Sequence, residues 1–229
     1  MPYGFGRNTE ELTWQRTELP NVPVISTRLP PKIMDRIWQY IETAKEDGVK
    51  NRSNRILAGN IDTSLSLIDE DDYFWKNVLK EVSEYYADSQ QVGVKWWRPM
   101  TSHAHKKTCL RSFWVNFQKK HEFNPLHDHA GFLSFVIWMK IPTESRDQHN
   151  LPISANSNFP SASDFEFVYT DILGTIASFS VPMGKESEGV MYVFPSGLKH
   201  HVYPFYECDE ERISVSGNIT LDSTSYHPY

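Results

Sequence analysis

Phe194-Pro195-Ser196-Gly197-Leu198-Lys199-His200-His201-Val202-Tyr203-Pro204 is the stretch on which the fold turns. A Pro-Ser-Gly turn separates an apolar run ending at Phe194 from an extended segment with two consecutive histidines. Neighbours on a strand face opposite sides, so only one of His200 and His201 can look inward. Upstream, His127-Asp128-His129 sets two histidines at positions i and i+2. In an extended chain these share a face, so both imidazoles can address one ion while Asp128 points away. A third ligand must then come from a distant strand brought alongside, and the 194–204 stretch offers one. Arg212 follows His200 by twelve residues. Imidazole binds iron, zinc, copper and nickel alike, so three histidines do not by themselves name a metal.

Around these stretches the chain reads in period two. Runs of β-branched and aromatic residues bounded by turns lie at 92–98, 109–118, 132–141, 165–170, 174–180, 189–194, 200–205 and 211–220. This number of short strands suggests a jelly roll, a barrel or a sandwich. The first third is different. Val22-Pro23-Val24-Ile25 reads as an edge strand, because proline cannot donate to a ladder. Ile33, Ile37, Ile41 and Ala44, with Trp38 beside them, mark a helix over about 31–46 that Pro30-Pro31 opens and that is capped near Gly48. Asp69-Glu70-Asp71-Asp72 opens a second helix, favoured at the positive end of its dipole. Phe74, Val78, Val82 and Tyr85 form its apolar stripe, and it ends near Asp88. Helices followed by strands predict an α+β, mainly β chain with N-terminal helices packed on one sheet. It is read as a single domain over 1–229, with a two-helix extension at 1–90 and a β core at 91–222.

The order of paired ligands, a later histidine and an arginine beyond it resembles the iron(II) and 2-oxoglutarate-dependent oxygenases. The likeness is closest to an oxygenase group common in marine phages and bacteria. That group carries a His-x-His, an FPS-x-L-x-H-x-V-x-P and an RIS-x-S-x-N stretch, matched here by His127 to His129, Phe194 to Pro204 and Arg212 to Asn218. The resemblance covers roughly 110–220 and implies a double-stranded β-helix. It also implies iron(II) bound by His127, His129 and His200, with His200 favoured over His201 by the match of Leu198-x-His200-x-Val202. 2-Oxoglutarate would chelate that ion with its far carboxylate on Arg212 and Ser214. The implied reaction consumes O2, yields succinate and carbon dioxide, and hydroxylates a substrate that no residue here selects. His129 stands where the family usually has a carboxylate, and Asp128 could replace it only if the strand bulges.

Composition narrows the partners. The 229 residues are 39% hydrophobic and 14% aromatic, with no apolar run near 18 residues, so neither disorder nor a membrane span is expected. A net charge of -6 removes the footprint of a nucleic-acid binder. With two cysteines and no apolar leader, the expected home is the cytoplasm, that of the host if the chain is phage-encoded.

Each chemical reading has a plain structural rival. His103-Ala104-His105 has the same spacing as the later pair, but Lys106-Lys107 follows and would repel a divalent ion, so it reads as a solvated loop. Arg212, Ser214, Ser216 and Asn218 alternate with Ile213, Val215, Gly217 and Ile219. Such a polar face can meet solvent or an anionic ligand inside a barrel. Trp114 and Asn116 share one strand face, and Ser134, Trp138 and Lys140 another. Asn116 and Trp138 are candidate cavity residues, although strand aromatics are usually core, and Lys140 could be an anchor or a solvated strand end. The rival functions are a three-histidine cupin-type metalloenzyme that does not use 2-oxoglutarate and a non-catalytic jelly-roll binding or structural protein.

Overall fold

The computed structural model describes residues 22–47, 57–89 and 108–221. The expected strand at 92–98, the His103-His105 pair and Gly48 lie outside them. Strand β1 (Ile25–Arg28) and helix α1 (Pro31–Asp47) come first, then β2 (Thr63–Ser66). A helical stretch follows as a 3-10 turn (Glu70–Asp72), a π turn (Trp75–Leu79) and α2 (Lys80–Ser89). The rest is β3 (Thr108–Gln118), β4 (Asn124–His127), β5 (Leu133–Lys140), α3 (Ser145–His149), β6 (Phe165–Thr170), β7 (Ile176–Val181), β8 (Val190–Pro195), β9 (Lys199–Val202) and β10 (Arg212–Leu221).

The strands form two sheets, β1-β8-β5-β10-β3-β2 and β4-β9-β6-β7, and every pairing between named strands is antiparallel. This is the expected double-stranded β-helix, or jelly roll, with helices on the larger sheet. Alternation along β10 separates two cores. Ile213, Val215 and Ile219 face outward from the barrel and pack with Ile37, Ile41, Phe74, Leu79 and Tyr86 of the helical layer. The second core lies between the sheets, where Val136, Trp138, Phe165, Phe167, Phe194 and Val202 meet.

Proline at the first turn suits α1, because its missing N–H has no intrahelical partner there in any case. The second helix departs from the expected stripe. Tyr86, not Tyr85, is buried, and Tyr85 is 64% exposed. The π turn holds more residues per turn than an α-helix, which carries the apolar face forward by one position. Asp69 caps this stretch: its carboxylate accepts the amides of Phe74 and Trp75 at 2.7 and 2.8 Å and the Tyr40 hydroxyl at 2.9 Å. The edge strand begins at Ile25 rather than Val22, just past the proline that lacks a donor. β9 stops at Val202, before Pro204. β2 had no sequence signal, and the extended segment expected at His127–His129 is the short β4, which ends at His127. Gly217 sits where an added Cβ would come within 2.5 Å of the Phe135 ring and 2.6 Å of the Ser112 carbonyl, so β10 can run between β3 and β5 only with glycine there.

Candidate metal centre

Pairing of β4 with β9 places His127 opposite His200, and the ladder is irregular between Asn124 and His127. Pro125 interrupts β4, which ends at His127. His129 therefore lies just beyond the strand rather than on it, with its amide donating to the Ser196 carbonyl at 2.8 Å in the β8–β9 turn. That bond brings the third imidazole round to the other two. Ring centroids are 4.3 Å apart for His127 and His200, 4.9 Å for His127 and His129, and 5.1 Å for His129 and His200. One ligand nitrogen of each lies within 4.8 Å of the others. This is the one such cluster of ligand side chains among the described residues.

The tautomers follow from the carbonyls nearby. His127 Nδ1 is 2.7 Å from the Pro125 carbonyl and His200 Nδ1 is 2.8 Å from the Leu198 carbonyl. A carbonyl only accepts, so each Nδ1 carries the proton and each Nε2 keeps a free lone pair for a metal. Burial lowers the His127 pKa. It pushes His129 down to about 4, with His127 adding to the effect, and His200 down to about 3, where His127 is again the second cause. The cluster is neutral at pH 7, the state in which imidazole binds metal. Asp128 turns away and is ion-paired with Lys199 Nζ at 2.6 Å. His201 faces the opposite side of the sheet, 3.3 Å from Glu166.

The wall opposite the histidines comes from the larger sheet. Cross-strand partners place Asn116, Ser214 and Trp138 in one row and Trp114, Ser216 and Val136 in the next. All six line the space beside the histidines, and the Trp114 ring is 5.7 Å from that of His129. Trp138 Nε1 is buried with no hydrogen-bond partner, whereas Asn116 Oδ1 accepts from the Ser64 hydroxyl at 2.7 Å. Leu57, Ala58 and Gly59 close another side, and nothing in the sequence pointed to them.

Arg212 stands one inward position from Ser214 on β10, about 7 Å further along the strand. It is 1% exposed. Its Nη2 donates to the carbonyl and the hydroxyl of Ser163, and Phe205 lies 5.2 Å from the guanidinium. Nε and Nη1 have no partner. Burial pushes the pKa down to about 10, opposed by the charge of Asp164, so the group remains a cation at neutral pH. Lys140 is not an anchor for the site: it pairs with Glu210 at 2.7 Å near the surface.

Three clustered imidazoles, two of them with Nε2 free, suit a divalent transition ion. A buried guanidinium with unpartnered donors on the same sheet face suits a carboxylate. The free space beside the histidines, about 40 Å³, holds an ion and little more than one water. A dicarboxylate must displace side chains to enter. A larger cleft of about 830 Å³ lies between the β1 and β7 edges, lined without a single charged side chain, and none of the histidines borders it.

Residues 112–218 match the family described as "Putative 2OG-Fe(II) oxygenase". No curated protein matches the chain. Among solved structures, the non-heme alpha ketoglutarate dependent carbocyclase SnoK from nogalamycin biosynthesis aligns at 9% identity and a TM-score of 0.54 over 88% of this chain and 80% of its own. AviO1 from Streptomyces viridochromogenes Tue57 aligns at 12% identity and a TM-score of 0.50 over 90% and 92%. The viral collagen prolyl hydroxylase of Paramecium Bursaria Chlorella virus-1 aligns at 12% identity and a TM-score of 0.48 over 86% and 94%. The first two likenesses speak for the fold.

Proposed function

We propose that this chain, whose residues 112–218 belong to the 2OG-Fe(II) oxygenase family, binds Fe(II) through His127, His129 and His200 and holds the far carboxylate of 2-oxoglutarate on Arg212 and Ser214. The reading is supported most by three clustered imidazoles and, on the same sheet face of β10 as Ser214, a buried guanidinium with unpartnered donors. When bound, Fe(II) and 2-oxoglutarate supply the oxidation, in which O2 and 2-oxoglutarate become succinate and carbon dioxide while a substrate C–H becomes C–OH.

The protein's part is positioning and the exclusion of water. The Pro125 and Leu198 carbonyls hold two imidazoles with Nε2 toward the ion. Arg212 supplies charge and a hydrogen-bond donor to a carboxylate, and Ser214, two residues on along β10, borders the space beside the histidines. The unpartnered Trp138 N–H is a further donor for the co-substrate, and Asn116 borders the same space. Trp114, Phe165 and Phe194 wall the centre with rings. The chain acts as one domain whose helical extension braces the larger sheet.

A second reading has its own observation. The third ligand is a neutral histidine, and the adjacent carboxylate, Asp128, is turned out to Lys199. That favours a three-histidine metalloenzyme working without 2-oxoglutarate, but such an enzyme leaves the desolvated Arg212 unexplained. The two separate on turnover: iron-loaded protein in air should convert 2-oxoglutarate to succinate slowly even without its primary substrate, followed by NMR. Iron-loaded protein that forms no succinate supports the second reading.

A further inference from the structure

Ser163 is fully buried and holds a φ of 74°, in the left-handed region that a residue with a Cβ seldom occupies. Its amide donates to the Pro204 carbonyl at 2.9 Å, and its hydroxyl lies 3.2 Å from that of Thr143. This conformation turns both of its oxygens toward one nitrogen. Arg212 Nη2 donates to the Ser163 carbonyl at 2.8 Å and also to the Ser163 hydroxyl. The next residue, Asp164, is likewise buried. It accepts from the hydroxyls of Ser145 and Ser180 at 2.8 and 2.9 Å and lies 3.1 Å from His149 Nε2.

We infer that Ser163 is a positioning residue for the co-substrate: it fixes Nη2 of Arg212 so that the guanidinium is held in place with Nη1 free to donate to the ligand's far carboxylate. The inference rests on the 2-oxoglutarate reading above. Arginine has many rotamers, and a cation free to sample them spends binding energy on being ordered when a ligand arrives. Two acceptors on one nitrogen remove that freedom in advance, and Phe205 limits rotation of the plane. The arrangement also explains why a serine with an unfavourable backbone conformation stands at this buried point. An alanine would lose the hydroxyl and keep the strain, while a glycine would lose the hydroxyl and relieve it.

The test uses these two variants of the full chain, loaded with Fe(II) under anaerobic conditions and titrated with 2-oxoglutarate. Ser163→Ala and Ser163→Gly should both bind 2-oxoglutarate about tenfold more weakly, the scale of one hydrogen bond to a charged group, with iron affinity unchanged. In an Arg212→Ala background neither substitution should weaken binding further, because the group it positions is gone. Unchanged affinity in both variants overturns the inference. So does a loss in Ser163→Ala alone, or an equal loss on top of Arg212→Ala, since either marks a general structural role. Wild-type protein that fails to bind 2-oxoglutarate overturns the reading beneath it and the inference together, whereas wild-type binding with unaffected variants overturns the inference alone.

Discussion

His200 is pinned through Nδ1 to a carbonyl two residues earlier, packed against Phe194 with ring centroids 4.8 Å apart, and almost wholly shielded from water. Removing it takes away one of three ligands, so His200→Ala and His127→Ala should abolish stoichiometric iron binding in a metal assay. His201→Ala should leave it intact, because that ring lies against Glu166 on the far side of the sheet. His129→Asp should retain iron, since it offers a carboxylate oxygen in the same quarter. Loss of iron in His201→Ala alone would invert the facing of β9. Arg212 carries a separate prediction. Deleting one partner of a buried charged pair costs about 2 to 5 kcal/mol, so Arg212→Ala should weaken 2-oxoglutarate binding about twentyfold or more. Arg212→Lys should recover only part, because one ammonium cannot both hold the Ser163 oxygens and reach the carboxylate as a guanidinium can, and iron affinity should not change in either. Affinity equal to wild type in Arg212→Ala would remove the far carboxylate from this residue. These side chains were legible because each stood in a spaced pattern. Ser163 and the Leu57–Gly59 wall were not, since nothing local distinguishes a loop serine that ends beneath an arginine from one in water.

At the scale of elements, β10 joins the two halves of the account: Ile213 and Val215 pack on the helices, while Ser214 and Arg212 face the barrel. Gly217 allows that strand to pass Phe135. Gly217→Ala would push a methyl into the ring and a backbone carbonyl, and overpacking of this kind costs about 1 to 3 kcal/mol. The expected outcome is a lower chemical-denaturation midpoint with iron still bound. A midpoint equal to wild type would mean that the strands separate there at no cost. The long strands were legible from their alternation, and their observed bounds lie within a few residues of those expected. β4 was legible only through the extended His127–His129 pair, and its early end was not, because the strand is short, contains a proline and pairs irregularly with β9. The phase of the second helix failed for a different reason. A π turn is invisible to a count at 3.6 residues per turn.

For the whole molecule, stability and chemistry rest on different cores. Phe74 belongs to the helical layer, stacked on Phe113 at 5.7 Å and edge-on to Phe135 at 5.8 Å. Phe74→Ala should cost about 3 to 5 kcal/mol of stability, because it opens a cavity in a packed core. Under conditions where the variant remains folded, iron binding should match wild type, and a parallel loss of iron would show that the two cores are not separable. The central claim is that one buried centre holds both the metal and the dicarboxylate. Anaerobic Fe(II)-loaded protein titrated with 2-oxoglutarate tests it most directly: the account predicts a saturable visible charge-transfer absorption, and iron bound at the three histidines with no such absorption at any 2-oxoglutarate concentration would contradict it.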